Sequence, residues 1–441
     1  MKAKMLTENE ESLVKKLSKK YYDNVIRTQS FDCKNRLFGL EIEFTLLGKL
    51  GKFSFGSAEI MSDALSEFHV VPEFGSFQIE MNPPPKTLRS NAFQELYQYL
   101  QKIREKMELF GDKNDMDLLP IGIPFHIDPL FYKKYKYIAQ KQRYLISSNY
   151  FQKENKKGAA ISFIDGNYFY LPGNSGLSII NELHIHLQAL NIKDLIHLFN
   201  YSQMITAPLV SLGANSGITN GKELINKEHQ IAIFEQAEGL YDGAENVPRV
   251  GLFPGYINSI DDYFYAILSF KPFYFPENES GEAAFEIMLG KYFGWTRIRV
   301  GYKPSAHMRI EFRPLSTQPT ILENVALSEF YVKTILGLIQ NNHNLLPERF
   351  LRKNLDESIK NGMNALLFWD FGNGIQKYPV NKILKNLRDL IDNGEFIEII
   401  EERIKKQLSP SDKIIKETKY FSYESAIHRY KECFKYEKPY I

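Results

Sequence analysis

Cysteine is nearly absent from this chain of 441 residues, since only Cys33 and Cys433 occur. Two cysteines cannot form a disulfide framework or a zinc site with several thiolates, and such rarity is typical of the reducing cytoplasm. Neither cysteine lies in a motif that indicates a nucleophile. We therefore expect a cytoplasmic protein in which both thiols are chemically inert.

Strong net charge and long apolar runs are also missing. The chain carries 55 basic and 53 acidic residues, so its net charge of +2 produces no field that attracts nucleic acid or an anionic membrane. Residues 1–27 are rich in Lys and Glu and lack the apolar core of a secretory signal, and no later segment is apolar over the thickness of a bilayer. We expect small-molecule partners, with neither nucleic acid nor membrane among them, and leave oligomerisation open.

The most informative feature present is an alternation of apolar residues with charged residues or histidines in four short stretches. These stretches are residues 39–44, 77–81, 182–187 and 307–313. Side chains on a strand point to opposite faces with a period of two, so each stretch has one apolar face and one polar face. If the four strands share a sheet, the polar face gathers Glu41, Glu43, Glu80, His184, His186, Arg309, Glu311 and Arg313.

The carboxylates of this face have two interpretations. Glu41 and Glu43 alone would be typical of the solvated outer face of an antiparallel sheet. Their neighbours, however, are strongly apolar, and carboxylates gathered on an inner face repel one another at a cost of several kcal/mol each. A divalent cation with a preference for oxygen ligands would offset that repulsion. The pattern therefore predicts Mg²⁺, with Mn²⁺ as the alternative.

His184 and His186 form a His-x-His pair on one strand. A cupin site places Glu three or four residues after such a pair, but Leu190 and Asn191 occupy those positions here. A hydrolytic zinc site of two histidines and one carboxylate stays open as an alternative. That site would leave the remaining carboxylates and arginines without a role.

Arg309 and Arg313 flank Glu311 on the polar face. They could neutralise Glu311 alone, but guanidinium groups also suit phosphate oxygens and the charge of phosphoryl transfer. Carboxylates, magnesium and arginines together indicate ATP chemistry. No P-loop is present, because the spacing from Gly217 to Gly221 is too short and Glu223 follows Lys222. Metals on the sheet would then have to hold the nucleotide.

The order of predicted elements indicates an α+β fold with a mainly antiparallel sheet. Strands are predicted over 37–47 and 118–127, a hairpin over 161–170, and helices over 57–68, 91–110 and 192–212. From residue 322 to residue 408 the periodicity is mainly helical, with an interruption at 370–374. We divide the chain into a helical lead-in (1–30), a sheet-bearing catalytic domain (31–330) and a helical C-terminal region (331–441).

The motifs of residues 37–320 resemble the glutamate-cysteine ligase family, in particular the branch of plant and many bacterial enzymes and related carboxylate-amine ligases. The resemblance rests on the two acidic strands, on the Arg143-Tyr144 and Asn149-Tyr150 segments, and on the His-x-His strand. It rests further on the loop from Ala207 to Lys222 and on the Arg-x-Glu-x-Arg strand that ends at Arg313.

This resemblance implies a glutamine-synthetase-like half barrel, a curved antiparallel sheet flanked by helices, and a reaction with ATP. A substrate carboxylate would attack the γ-phosphate, and an amine would capture the resulting acyl phosphate as an amide. The roles it implies are magnesium ligation by Glu41, Glu43, Glu80, His184, His186 and Glu311, catalysis by Arg309 and Arg313, ATP binding by Asn215, Ser216 and Lys222, and substrate binding by Arg143 and Tyr144.

The chain also departs from the family pattern. Residues 314–319 lack the acidic residue that usually follows the final arginine, and Gly217 replaces a proline. The expected product is γ-glutamylcysteine, as in glutathione biosynthesis, but the acceptor amine stays open between cysteine, another amine, a peptide and a protein side chain. The rival hypotheses are a metal-dependent hydrolase that uses His184 and His186, and a binding protein that keeps the fold without turnover.

Overall fold

The computed structural model describes residues 6–48, 51–134, 136–240, 243, 247–276, 279–303, 305–392 and 394–441. Residues 1–5 of the predicted lead-in lie outside this part of the chain. The lead-in continues as a helix from Glu8, which Thr7 caps: the Thr7 side chain accepts a hydrogen bond from the Glu10 backbone, and Glu10 accepts one from the Thr7 backbone.

The strands of the described chain fall into one large sheet and four two-stranded pairs. In chain order they are β1 (Leu37–Leu47), β2 (Val70–Pro72), β3 (Gln78–Met81), β4 (Lys86–Thr87), β5 (Asp117–Leu119), β6 (Ala159–Ser162), β7 (Tyr168–Leu171), β8 (Glu182–Gln188), β9 (Ile218–Thr219), β10 (Lys222–Glu223), β11 (Val250–Gly251), β12 (Phe293–Gly294), β13 (Thr296–Gly301), β14 (His307–Ser316), β15 (Leu366–Asp370) and β16 (Ile375–Pro379).

The large sheet has the order β13-β14-β8-β1-β3-β2, and β4 and β5 pair with the two ends of β1. Every pair in this sheet is antiparallel, and β11 and β12 form a separate parallel pair. The predicted fold class, α+β with a mainly antiparallel sheet and flanking helices, is therefore confirmed.

The α-helices of the described chain surround this sheet. In chain order they are α1 (Glu8–Tyr21), α2 (Ser57–Ala64), α3 (Ala92–Lys113), α4 (Gln142–Glu154), α5 (Ile192–Gly213), α6 (His229–Glu238), α7 (Ile260–Ile267), α8 (Gly281–Leu289), α9 (Ile321–Gln340), α10 (Leu351–Asn361), α11 (Val380–Asp389), α12 (Ile397–Lys406), α13 (Pro410–Tyr420) and α14 (Tyr423–Tyr436).

The apolar face of the sheet packs on helices. The ring of Phe38 on β1 lies 4.5 Å from that of Phe93 on α3, and the ring of Phe312 on β14 stacks 4.3 Å from that of Tyr331 on α9. All four side chains are buried. Because these residues alternate with the charged ones, α3 and α9 pack on the apolar face of the sheet, and the polar side chains lie on the opposite face.

The register of the strands brings the four alternating stretches side by side. Glu41 on β1 lies opposite His184 on β8, and Glu43 lies opposite Glu80 on β3. On the other side of β8, Glu311 of β14 lies opposite His186. Residues directly opposite each other on antiparallel strands share a face. The polar side chains of all four stretches therefore occupy one continuous surface.

Strand β14 contains a bulge between Phe312 and Leu315, where two residues of β14 lie opposite one residue of β8. Pro314 lies in this bulge. Proline has no N–H for a ladder hydrogen bond, so the bulge is a position that tolerates it. The extra residue places Leu315, and not Pro314, opposite Leu183 on β8.

Several predicted elements differ from the structure. The strand predicted over 118–127 ends at Leu119 because Pro120 follows, and the helix predicted over 57–68 ends at Ala64. The interruption predicted at 370–374 is the turn of a hairpin formed by β15 and β16. Its apolar residues Leu367 and Trp369 are buried, so packing stabilises strands within a region of helical periodicity.

Helix α9 runs across the predicted boundary between residues 330 and 331, and the division into three regions stays a prediction. Among the helices of the described residues, none combines the length and the apolar character that crossing a bilayer requires.

Candidate active site

A cavity of about 600 Å³ opens on the polar face of the sheet. It is lined by residues of β1, β3, β8, β13 and β14 and by residues of α4, α6 and α8. Its charged lining residues are Glu41, Glu43, Glu73, Glu80, Lys141, Arg143, Glu182, His184, Glu238, Glu286, Lys291, Arg297, Arg299 and Arg313. Acidic and basic groups thus alternate around one concave surface.

Glu43, Glu73 and Glu80 form a cluster of carboxylates, with one oxygen of each within 4.8 Å of the others. Glu43 and Glu80 are only 7 % and 5 % exposed. Burial raises the pKa of Glu80 well above its usual range, and the neighbouring charges of Glu41, Glu73 and Glu43 raise it further. Burial also raises the pKa of Glu43, although His184 opposes the effect. This cluster lacks enough positive charge from the protein.

His184 lies between two carboxylates. Its Nδ1 is 2.9 Å from Glu41 Oε2, and its Nε2 is 2.9 Å from Glu182 Oε2. Burial and Arg313 lower the pKa of His184, but the hydrogen bonds to Glu182 and Glu41 outweigh them and raise that pKa to about 10. A carboxylate oxygen beside each ring nitrogen favours the protonated imidazole, which donates from both nitrogens.

Glu311 is held by arginines. Arg297 donates two hydrogen bonds to it, from Nε at 2.8 Å and from Nη2 at 2.6 Å, and Arg313 Nη1 donates a third at 2.7 Å. Burial raises the pKa of Glu311, but Arg297 and Arg313 bring it well below its usual range. Glu311 is therefore an ionised carboxylate whose charge the protein already balances.

His186 and Arg309 lie beside this group on the same face. His186 Nε2 is 3.1 Å from Glu41 Oε1, and Arg309 Nε donates to His186 Nδ1 at 3.3 Å. Glu41, His186 and Glu311 place one ligand atom each within 4.8 Å of one another. Neither His186 nor Arg309 lines the cavity, whereas Arg313 does and also donates to Glu182 at 2.9 Å.

Arg143 and Tyr144 lie in the first turn of α4 and line the cavity. Arg143 Nη2 donates to Tyr144 Oη at 2.8 Å, and Tyr144 Oη donates to Glu73 Oε2 at 3.0 Å. This chain of hydrogen bonds connects the two residues predicted to bind substrate with the carboxylate cluster.

The structure does not bring Asn215, Ser216 and Lys222 to the cavity. The backbone of Asn215 and the hydroxyl of Ser216 donate hydrogen bonds to buried Glu228. Lys222 is half exposed and forms an ion pair of 2.8 Å with Asp165 in the β6–β7 turn. The three residues predicted to bind ATP therefore contact Glu228 and Asp165, and they do not line the cavity on the polar face.

Sequence reasoning missed several residues of the cavity. Glu182, Arg297 and Arg299 continue the period-two alternation on β8 and β13, so a wider search for that pattern would have found them. Glu73 and Lys141 lie in connections between elements. Their approach to the cluster depends on chain folding, and no local pattern signals it.

Four sets of residues can offer at least three ligand atoms to a metal ion. They are Glu41 with Glu80 and His184, Glu41 with His186 and Glu311, Glu43 with Glu182 and His184, and Glu43 with Glu73 and Glu80. His184 already contacts the carboxylates of Glu41 and Glu182, and Glu311 already accepts hydrogen bonds from arginines. The set Glu43, Glu73 and Glu80, which offers only carboxylate oxygens, best fits a hard divalent cation.

Comparison with known protein families gives a match over most of the chain. The model of glutamate-cysteine ligase family 2 matches residues 37–340, which is more than half of the chain and includes every strand of the large sheet. No sequence match to a curated protein is significant.

Two solved structures share the fold. The glutamate–cysteine ligase of Francisella tularensis, crystallised in complex with AMP, superposes with a TM-score of 0.56 at 13 % identity over 91 % of this chain and 90 % of that chain. A bifunctional glutathione synthetase from Pasteurella multocida gives a TM-score of 0.51 at 13 % identity over 98 % of this chain and 55 % of that chain. At such low identity these similarities establish the fold alone.

Proposed function

The chain belongs to glutamate-cysteine ligase family 2 and is a carboxylate–amine ligase that forms carbon–nitrogen bonds, and we propose that it does so with ATP and Mg²⁺ through an acyl phosphate. The proposed donor is the carboxylate of glutamate, and the proposed acceptor is an amine such as cysteine. The complex of the Francisella tularensis enzyme with AMP supports a nucleotide as co-substrate.

One observation carries this proposal: an uncompensated carboxylate cluster and a row of guanidinium groups line the same cavity. Glu43, Glu73 and Glu80 form the cluster, and Arg297, Arg299 and Arg313 form the row. ATP and Mg²⁺ require both kinds of group, because carboxylates hold the cation while arginines match phosphate oxygens.

The residues fit a magnesium ion by their chemistry. Burial raises the pKa of Glu43 and of Glu80, and a bound cation would favour the ionised form of both carboxylates. Glu43, Glu73 and Glu80 would hold the ion, and Glu41, His186 and Glu311 provide a second set of ligand atoms. A magnesium ion there supplies positive charge that offsets the charge of the phosphate oxygens.

The side chains of the cavity would then order and stabilise the reactants. Arg313 and Arg299 offer N–H groups to the transferring phosphoryl group, and Arg299 retains more solvent exposure than its neighbours. The donor carboxylate attacks the γ-phosphorus and ADP leaves. The amine next attacks the acyl carbon, loses a proton and displaces inorganic phosphate, so the products are an amide, ADP and phosphate.

The first test follows ADP release by the full chain with Mg²⁺, glutamate and a panel of amines that includes cysteine, hydroxylamine and dipeptides. We expect ADP release that requires both Mg²⁺ and an amino-acid donor, with one amide formed per ADP. Amide analysis by mass spectrometry identifies the acceptor, and Mn²⁺ in place of Mg²⁺ tests the alternative cation.

Two other results would contradict the ligase. Hydrolysis that requires zinc and proceeds without nucleotide would favour the hydrolase, although His184 has both ring nitrogens engaged by carboxylates and offers no free lone pair. Tight binding of nucleotide without turnover on any donor and amine would favour the binding protein.

A further inference from the structure

Glu238 and Lys291 line the same cavity but take no part in the carboxylate cluster. Glu238 ends α6, and Lys291 lies between α8 and β12. They are 2 % and 6 % exposed, and each lies within electrostatic range of the other. Buried side chains of opposite charge that face a cavity need partners, and the protein provides few of them.

The ammonium of Lys291 lies among aromatic rings. Its Nζ is 3.9 Å from the ring centroid of Phe273 and 4.5 Å from that of Tyr274. No hydrogen bond or ion pair of this ammonium occurs within the described ranges. Arg249 Nη1 donates to the backbone carbonyl of Lys291 at 3.0 Å and adds a second buried cation. Burial and then Arg249 lower the pKa of Lys291 well below its usual range, and the charge of Glu238 opposes the effect only in part.

One carboxylate oxygen of Glu238 has no hydrogen-bond donor among the described residues. Its Oε1 accepts hydrogen bonds from Asn174 Nδ2 at 2.7 Å and from Ser147 Oγ at 3.5 Å. Among the described residues, no donor reaches Oε2. Burial raises the pKa of Glu238 to about 7, in spite of these hydrogen bonds and the nearby cations. The carboxylate therefore lacks a positively charged donor at its second oxygen.

We propose that Lys291 and Glu238 bind the α-carboxylate and the α-ammonium groups of the amino-acid donor. A zwitterion supplies one charge to each of the two deficient side chains, whereas an acceptor amine must lose its proton to react and suits Glu238 less well. The assignment rests on the proposed ligase function. It implies that the α end of glutamate is held here, and that only its side-chain carboxylate reaches the metal and arginine groups.

The test compares glutamate with two analogues, 4-aminobutyrate, which lacks the α-carboxylate, and glutarate, which lacks the α-ammonium. We expect Lys291→Met to raise KM for glutamate about tenfold or more while kcat changes by less than about threefold, because a charged hydrogen bond used in binding is lost. KM for 4-aminobutyrate should stay unchanged. Glu238→Gln should raise KM for glutamate and leave KM for glutarate unchanged.

The matched control is Lys353→Met, which removes an exposed lysine on α10 outside the cavity. It should match the wild type, and Lys291→Arg should recover most of the affinity for glutamate. An unchanged KM for glutamate in Lys291→Met would overturn the assignment. So would an equal rise in KM for glutamate and 4-aminobutyrate, which would indicate a general disturbance of the cavity.

Titration calorimetry separates this proposal from the ligase function. It uses the wild-type chain, so the result does not depend on whether a variant folds. The wild-type chain should bind glutamate at least about tenfold more tightly than either analogue, since each analogue leaves one buried charge unpaired. Equal affinities would reject the subsite even if ADP is released. Selective glutamate binding without ADP release in any assay would retain the subsite and reject the ligase.

Discussion

At the scale of single residues, the acidic side chains of the polar face differ in how the protein balances their charge. Glu311 has Arg297 and Arg313, and Glu41 has His184 and His186, so both carboxylates keep pKa values well below the usual range despite burial. Glu43 and Glu80 have raised pKa values. The difference separates carboxylates whose ionised form neighbouring cations stabilise from carboxylates whose ionised form burial and like charges disfavour.

This difference predicts an opposite effect of Glu80→Gln on stability and on activity. Removing one carboxylate relieves repulsion within the cluster, so the melting temperature without metal should stay the same or rise. Turnover should fall about a hundredfold, because cation binding and charge stabilisation contribute several kcal/mol to such reactions. Thermal melting and an ADP-release assay over a series of Mg²⁺ concentrations measure the two effects.

The control for Glu80→Gln is Glu67→Gln, which removes an exposed carboxylate before β2. It should leave both melting temperature and turnover unchanged. Near-normal turnover with an unchanged requirement for Mg²⁺ in Glu80→Gln would contradict the assignment of the cluster as the cation site.

At the scale of elements, β14 serves the core and the site together. Its Ile310 and Phe312 are buried against helices, and the side chains between and after them, Glu311 and Arg313, enter the charge network of the opposite face. Glu311 and Arg313 share that face because they lie two residues apart on the strand. Damage to the apolar side of the strand should therefore affect stability first.

Phe312→Ala tests that expectation. The substitution removes the ring that stacks on Tyr331 and leaves a cavity between β14 and α9, so the free energy of unfolding should fall by about 3–5 kcal/mol. Urea unfolding measures the loss. Tyr168→Ala at an exposed position of β7 should change the same quantity by less than about 0.5 kcal/mol. An equal effect of both substitutions would contradict the packing described for β14.

At the scale of the whole molecule, Glu228 connects the loop after α5 with the end of β14. It accepts hydrogen bonds from the Asn215 backbone, from Ser216 Oγ after α5, and from Ser316 Oγ at the end of β14. Burial raises the pKa of Glu228 to about 8, although the hydrogen bonds from Ser316 and Ser216 oppose the effect. The folded protein therefore holds this proton near neutral pH.

Stability should decline with pH through this residue. Below the ordinary glutamate pKa of 4.5 both folded and unfolded chains hold the proton, and the full contribution is present. Between that value and about 8 only the folded chain holds it, so the contribution falls by up to about 1.4 kcal/mol per pH unit. Glu228→Gln cannot titrate. It should therefore flatten the slope of the unfolding free energy against pH between roughly pH 5.5 and 7.5, which lies between those two pKa values. Parallel slopes would contradict the raised pKa.

The local chemistry of the chain was enough to predict much of this molecule. Period-two alternation places Glu41 and Glu43 on one face of β1, and the register agrees: Glu41 lies opposite His184 on β8, and Glu43 lies opposite Glu80 on β3. The same alternation identified the apolar face. The motif order identified the family that the match over residues 37–340 confirms.

Local sequence patterns do not predict contacts between separate segments of the chain. The arginines that bind Glu311 include Arg297, which comes from the neighbouring strand β13. The loop around Ser216 faces Glu228 instead of the cavity, and Lys222 faces Asp165. Each of these outcomes depends on which elements pack together, which is a property of the whole chain.

The sequence by itself determined which side chains share a strand face, because a pleated backbone alternates them regardless of surroundings. Only the tertiary structure decided which charges are balanced, since burial and partners arise from strand register and from segments far away in the chain. Folding buries Glu43, Glu80, Glu238 and Lys291 around one cavity, and the charges beside each of them come from other segments of the chain.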